Sequence, residues 1–390
     1  MFSDRTNWKL TQNRFTQALE QVRAQGAKIL DLTVSNPTRA GVHYDKPAIL
    51  SSLASPHSLD YDPQAKGLRE AREAVASYYR DEHNLRDLNP EQIILTTSTS
   101  EGYSYVFRLL CNPGDELLVP KPSYPLFEFL ADLQDVKLVP FPLLYDHGWQ
   151  IDFPSLRKAN TQRTRGIVLV HPNNPTGSYI SETELTELNA FCRERDLALI
   201  VDEVFLDYTH DGQPRPSFAN NQDALTFTLS GLSKIAALPQ MKVAWVATSG
   251  PRQQTEEALA RLEVIADTFL SMNAPIQWAL PELLAQRKNI QKQLHERVRQ
   301  NLAELDRLLA LQKSCTRLSV DGGWYAILRV PVTQSDEELS IELLEKTSVL
   351  VHPGHFFDFP TDGYLVLSLI TPTDDFSEGA KRLLAHLNSR

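Results

Sequence analysis

Between residues 90 and 250 the chain alternates short, almost wholly apolar runs with amphipathic stretches of helical period. The runs are Ile93–Thr97, Glu116–Val119, Lys137–Phe141, Ile167–Val170, Leu197–Val201, Leu225–Leu229 and Val243–Ala247. Such runs predict strands, and their lack of in–out alternation predicts burial on both faces. Among the intervening stretches, Ser181–Arg195 predicts a helix opened by a capping box, with Ser181 at the N-cap and Glu184 three residues on. Strands alternating with helices predict an α/β fold, a three-layer and mainly parallel sheet covered on both faces.

The C-terminal third reads differently. A long charged amphipathic stretch from Glu282 to Leu311 precedes apolar segments at Trp324–Val330, Val349–Val351 and Tyr364–Ile370, then a helix over Phe376–Leu387. That pattern predicts a separate α+β unit, and 390 residues are enough for two domains. Near the N-terminus, Gln12–Gln25 predicts a helix ended by Gly26, followed by an extended piece, Ile29–Val34, that fits either unit.

Composition narrows the partners. The chain is 42% hydrophobic and 23% charged, ordinary for a globular protein, and its net charge of −10 argues against nucleic acid or an anionic membrane. Cys111, Cys192 and Cys315 form no CxxC pair, so no metal site or disulfide framework is expected. The opening MFSDRTNWKLTQNRF is polar from the start and does not read as a signal peptide. No apolar run approaches the roughly 18 residues that span a bilayer. A cytoplasmic protein is the expectation.

In sheets of this kind ligands sit beyond the carboxyl ends of the strands. After Thr97 come Ser98, Thr99 and Ser100; after Val119 comes Pro122-Ser123-Tyr124-Pro125. His171 to Gly177 follows Val170, Asp202-Glu203 follows Val201, and Ser230-Gly231-Leu232-Ser233-Lys234 follows Leu229. Taken singly these are ordinary: a lysine after a strand is usually solvated, and serines at a helix start are usually caps. Together, at consecutive strand ends, they suit an aldehyde cofactor bearing a phosphate. The amine of Lys234 can form a Schiff base and then act as a base. Asp202 can keep a pyridine nitrogen protonated, so that the ring absorbs carbanion charge. Ser98, Thr99 and Ser100 at a helix start can bind the phosphate, Tyr124 can stack on the ring, and Asn174 can donate to its phenolic oxygen.

These stretches resemble the class I/II aminotransferases of the fold-type I pyridoxal-phosphate superfamily. The matching segments are Tyr61 with Gly67-Leu68-Arg69-Glu70, Ser98–Glu101, Pro113-Gly114-Asp115, Pro122–Pro125, Asn173–Gly177, Asp202-Glu203-Val204, Ser233-Lys234 and Pro353-Gly354. The resemblance implies pyridoxal 5′-phosphate on Lys234, Asp202 against the pyridine nitrogen, Asn174 against the ring oxygen and Tyr124 on the ring face. It implies Thr99 and Ser100 on the phosphate with Ser233 and Lys242 nearby. Tyr61 would reach the phosphate of the other subunit, so a homodimer with shared active sites is expected. The implied division is a large cofactor domain over 47–275 and a small domain over 1–46 plus 276–390. The Asn174–Pro175 bond, often cis in this motif, is expected to be cis.

Four positions depart from the family pattern. Phe205 stands where a tyrosine is usual, which removes one hydrogen bond to the ring oxygen and leaves the Schiff base more basic. Lys242 stands for an arginine, and Gly231 for a serine that often binds phosphate. Val366 stands where the substrate-carboxylate arginine is expected, and no arginine occurs between Arg329 and Arg382. A buried carboxylate without its cation forgoes roughly 1.5–3 kcal/mol. Arg39, near Ser35-Asn36-Pro37, is the first replacement to consider and His355 the second. The expected reaction is transamination between an amino acid and a 2-oxo acid. A lyase, decarboxylase or synthase is the alternative that Val366 leaves open.

Overall fold

All seven apolar runs are strands in the computed structural model, which describes every residue except Lys9, Leu126, Ser271 and Arg390. They join Trp149–Ile151 in an eight-stranded sheet. Its order is Ile93–Thr96, Ala244–Ser249, Thr226–Gly231, Ala198–Asp202, Thr164–Val170, Glu116–Lys121, Lys137–Tyr145 and Trp149–Ile151. Ala244–Ser249 and Trp149–Ile151 run against the rest, so the sheet is mixed and mainly parallel, as the pattern predicted.

The apolar runs are explained by what covers them. Val168, Val170, Ala198 and Ile200 pack on one face with Tyr103, Val106 and Phe107 of the helix Thr99–Leu110. Ile167, Leu169, Leu199 and Val201 pack on the other with Leu188, Phe191 and Cys192 of Glu182–Arg195. Successive side chains of one strand thus enter different cores, each worth about 1.5–3 kcal/mol on burial. The capping box at Ser181 and Glu184 is formed in both directions.

The second sheet is four-stranded and antiparallel, in the order Thr316–Arg317, Tyr325–Arg329, Tyr364–Ser368, His352–Pro353. The N-terminal extended piece joins this side, because Leu30–Asp31 pairs in parallel with Val349–Leu350. Gly26, at φ +74°, follows the helix Arg14–Ala24. The amphipathic stretch from Glu282 to Leu311 falls on two helices, Ala274–Ala285 and Arg287–Leu309, meeting at Gln286. Their apolar residues serve different cores. Leu280, Leu283 and Leu284 pack with Leu95 and Trp245 of the large sheet, whereas Ile290, Leu294 and Val298 pack with the four-stranded sheet.

Candidate active site

Register brings the chemistry together. Val170 pairs with Asp202, and Asp202 with Leu229, so two neighbouring parallel strands end level and the third runs two residues on to Gly231. The segments that leave those ends carry Asn174, Asp202 and Lys234, and they share a cavity of about 390 Å³. Thr99 and Ser100 enter it from the first turn of the helix Thr99–Leu110, capped by the Ser98 side chain. Tyr124, Phe205, Ser233 and Ser35 also line it. The Asn174–Pro175 bond is cis, as are Lys121–Pro122 and His171–Pro172.

Asp202 is held at both oxygens. Val204 N–H donates to Oδ1 at 3.0 Å and the Tyr103 hydroxyl to Oδ2 at 3.2 Å. Burial pushes its carboxyl up to about 6, opposed by those two bonds and by the charge of Lys234. Burial also pushes the Lys234 amine down to about 8, with the Asp202 carboxylate opposing. The Lys234 Nζ stands over two rings, 5.1 Å from the centroid of Trp324 and 5.6 Å from that of Phe205. The backbone of Lys234 is pinned too, since the Tyr208 hydroxyl donates to its carbonyl at 2.7 Å. Glu203, next to Asp202, faces elsewhere: its carboxylate accepts from Ser217 Oγ and Phe218 N–H, both at 2.6 Å.

These residues fit a pyridoxal-phosphate group. Thr99 and Ser100 occupy a first helical turn, whose N–H groups lack intrahelical acceptors and favour an anion. Asn174 is buried and lines the cavity, where its amide Nδ2–H is a donor suited to a ring oxygen. Among the described residues that line the cavity, Asp202 offers the only carboxylate, and Lys234 an amine low enough in pKa to be nucleophilic near neutrality.

Several candidates lie elsewhere. Lys242 is exposed, just after the turn Pro239–Met241, and does not line the cavity. Arg39 is exposed at the end of the turn Pro37–Arg39, outside the cavity that Ser35 reaches. His355 is exposed on the turn Gly354–Phe357, its ring edge-on to Phe356 at 4.8 Å, and is also outside. Tyr61 is 83% exposed and borders a different hollow with His57 and Trp278. Ser230 does not substitute for the serine absent at Gly231, because its hydroxyl is buried and donates to Glu203 O at 3.3 Å. Nor is there room at Gly231 itself, where a Cβ would meet Val243 O at 2.8 Å. Val366 is fully buried in the strand Tyr364–Ser368, and no arginine lines the cavity among the described residues.

Other residues were not found by sequence reasoning. Tyr103 lies four positions after Thr99, one turn down the same helix face, and that spacing was the available signal. Tyr325, His352, Phe356 and Phe357 reach the cavity from the four-stranded sheet and its adjoining turn. Their approach depends on how the two sheets pack, which periodicity does not encode.

Residues 27–375 match the model of the family described as aminotransferase class I and II. The glutamate-pyruvate aminotransferase AlaA of Escherichia coli K12 is 26% identical over 367 residues, covering 91% of this chain and 89% of that protein. An alanine aminotransferase of Mycobacterium tuberculosis H37Rv is 27% identical over 381 residues, covering 94% and 87%. Among solved structures, an E. coli aminotransferase superposes with a TM-score of 0.87 at 26% identity, covering 99% of this chain and 98% of that one. The alanine aminotransferase of Pyrococcus furiosus gives 0.90 at 22% identity over the whole of both chains, a likeness of fold. The chain belongs to the class I and II aminotransferase family and is a pyridoxal-phosphate-dependent enzyme of amino-group transfer.

Proposed function

We propose that this enzyme transfers an amino group between an amino acid and a 2-oxo acid, with the cofactor joined to Lys234. The observation that carries the reading is the pairing, within one cavity, of a buried amine at about 8 with a carboxylate fixed by two hydrogen bonds. When bound, pyridoxal phosphate supplies an aldehyde that takes up the amino group and a ring that stores the electron pair released at the donor's Cα.

The chain's residues do the rest. Asp202 holds the pyridine nitrogen and keeps its proton in place, and Tyr103 and Val204 hold Asp202. Thr99 and Ser100 bind the phosphate, with Ser233 beside them; Asn174 donates to the ring oxygen and Tyr124 covers the ring face. Lys234 Nζ, once released, would take the proton from the donor's Cα and deliver it to the carbon that carried the cofactor's aldehyde, and would move a proton the opposite way when the acceptor is aminated. Phe205 gives an apolar wall in place of a hydroxyl. Lys242, Arg39 and His355 have no part in this reading. Glutamate, alanine and pyruvate are the first substrates to try, given the names of the relatives. Those relatives are aminotransferases, which disfavours a lyase or decarboxylase.

The reading includes a homodimer, in which the exposed Tyr61 reaches the partner's phosphate. It also includes a cofactor unit and a smaller unit of the N-terminal segment with the C-terminal third. The reading places the second boundary at about Gln286 rather than 275, and the packing of Ala274–Ala285 with residues of the large sheet supports it. Three unpaired cysteines suit a reducing compartment such as the cytoplasm. Borohydride reduction of the holoenzyme, followed by peptide mass mapping, tests the central assignment. A reduced cofactor adduct on the Lys234 peptide supports it, and an adduct on another lysine refutes it.

A further inference from the structure

We propose that His352 binds the carboxylate of the amino donor, a role that rests on the aminotransferase reading. An amino acid whose nitrogen lies at Lys234 must place its carboxylate elsewhere in the same cavity. A desolvated carboxylate without a donor is strongly disfavoured there. Among the described residues that line the cavity, only Lys234 and His352 have basic side chains, and Lys234 is committed to the amine chemistry.

Position supports the assignment. His352 pairs across the antiparallel ladder with Val366, and Val366 pairs on its other side with Ile327. Paired residues project from the same face of a sheet, as does Tyr325, two positions from Ile327. Tyr325 and His352 both line the cavity, so this face of the four-stranded sheet is the wall that they share. Val366 contributes only a buried aliphatic surface to it. The imidazole comes from the neighbouring strand instead.

The ring is held and unsatisfied. Phe356 and Phe357 pack against it, with centroids at 6.0 and 5.7 Å. Its Nδ1 is sealed off with no hydrogen-bond partner among the described residues, and burial opposes protonation of the ring, so the donor it can offer a ligand in the cavity is the Nε2–H of the neutral imidazole. Ser35 provides a second donor to the same ligand. Its segment is fixed by Ser368, whose hydroxyl donates to Val34 O at 2.5 Å.

The test separates binding from turnover by using holoenzyme and ligands that have no Cα proton. These are the α-methyl forms of alanine and phenylalanine, each compared with the amine in which a methyl group replaces the carboxylate. Affinity is read from the absorbance of the bound cofactor. We expect His352→Leu to weaken the better α-methyl amino acid by about tenfold or more and to leave the amine unchanged. We expect His352→Gln, which keeps a donor, to recover most of the loss. The proposal is overturned if His352→Leu weakens acid and amine alike, if it weakens neither, or if the wild type does not prefer the acid. If the wild type prefers the acid but aminates no 2-oxo acid, the aminotransferase reading fails and the role of His352 stands.

Discussion

Tyr103 and Asp202 meet at 3.2 Å, hydroxyl to carboxylate, from two different layers of the fold. The tyrosine hangs from the helix Thr99–Leu110, whose N-terminus faces the same cavity, so one helix positions both ends of the cofactor site. Tyr103→Phe removes one of the two hydrogen bonds that favour the ionised carboxylate, and its pKa rises further. We expect cofactor affinity to drop about tenfold with little change in thermal midpoint. Equilibrium dialysis of apoenzyme against pyridoxal phosphate, with a melting curve, measures both; unchanged affinity would remove Tyr103 from the site.

Burial lowers the Lys234 amine to about 8, so the neutral form is available from there upward rather than from its ordinary range above 10. The rate at which apoenzyme captures pyridoxal phosphate should therefore climb with pH and level off above about 8. The Asp202 carboxylate raises this pKa, so Asp202→Asn should move the bend to lower pH. Stopped-flow capture rates across pH 6–10 give the position of the bend. A bend above 10 in the wild type would mean that the amine is solvated.

Phe205→Tyr offers a hydroxyl where the cavity wall is now apolar. It should favour the deprotonated cofactor linkage and lower the pH at which the bound cofactor's absorbance titrates by about one unit. A spectrophotometric titration decides it. No shift would show that the new hydroxyl points away from the cofactor.

Thr99 and Ser100 are assigned to the phosphate alone. Replacing both with alanine should weaken pyridoxal phosphate by at least about tenfold while leaving pyridoxal, which has no phosphate, nearly unaffected. Parallel titrations of apoenzyme with the two compounds make the comparison. Equal losses for both would indicate a general distortion of the helix start.

Gly231→Ser would not restore a phosphate ligand. Its Cβ has the Val243 carbonyl at 2.8 Å and Ala244 Cα at 2.9 Å as neighbours, so the backbone must shift. The expected outcome is a lower thermal midpoint, with overpacking costing roughly 1–3 kcal/mol, and no gain in cofactor affinity. A gain in affinity at unchanged stability would contradict this.

What was legible in the sequence follows from physics that is local along the chain. The apolar runs marked the large sheet because both of its faces are covered, and the residues after them marked Lys234, Asp202, Asn174, Tyr124 and Thr99–Ser100. The absence of an arginine at Val366 was legible as well. Arg39 and His355, the replacements suggested along the chain, lie outside the cavity, whereas His352, the replacement proposed above, reaches it through strand pairing with Val366. Antiparallel register brings together residues that no spacing rule connects. Lys242 illustrates the converse: it occupies the expected position in the sequence, but the backbone there, at φ +53°, leaves the side chain on the surface. The break at Gln286 is not legible in the sequence because both helices keep helical periodicity while changing the core they face.

Transamination makes a demand that a lyase, decarboxylase or synthase does not meet: the amino group must remain on the enzyme when no acceptor is present. Holoenzyme should therefore be mixed with one amino donor at a time and no 2-oxo acid, following the cofactor absorbance and analysing the released products. The expected result is stoichiometric conversion of the cofactor to its amine form, with one 2-oxo acid released per site and no ammonia or CO2. Release of ammonia or CO2 with the cofactor returned to its aldehyde form would contradict it.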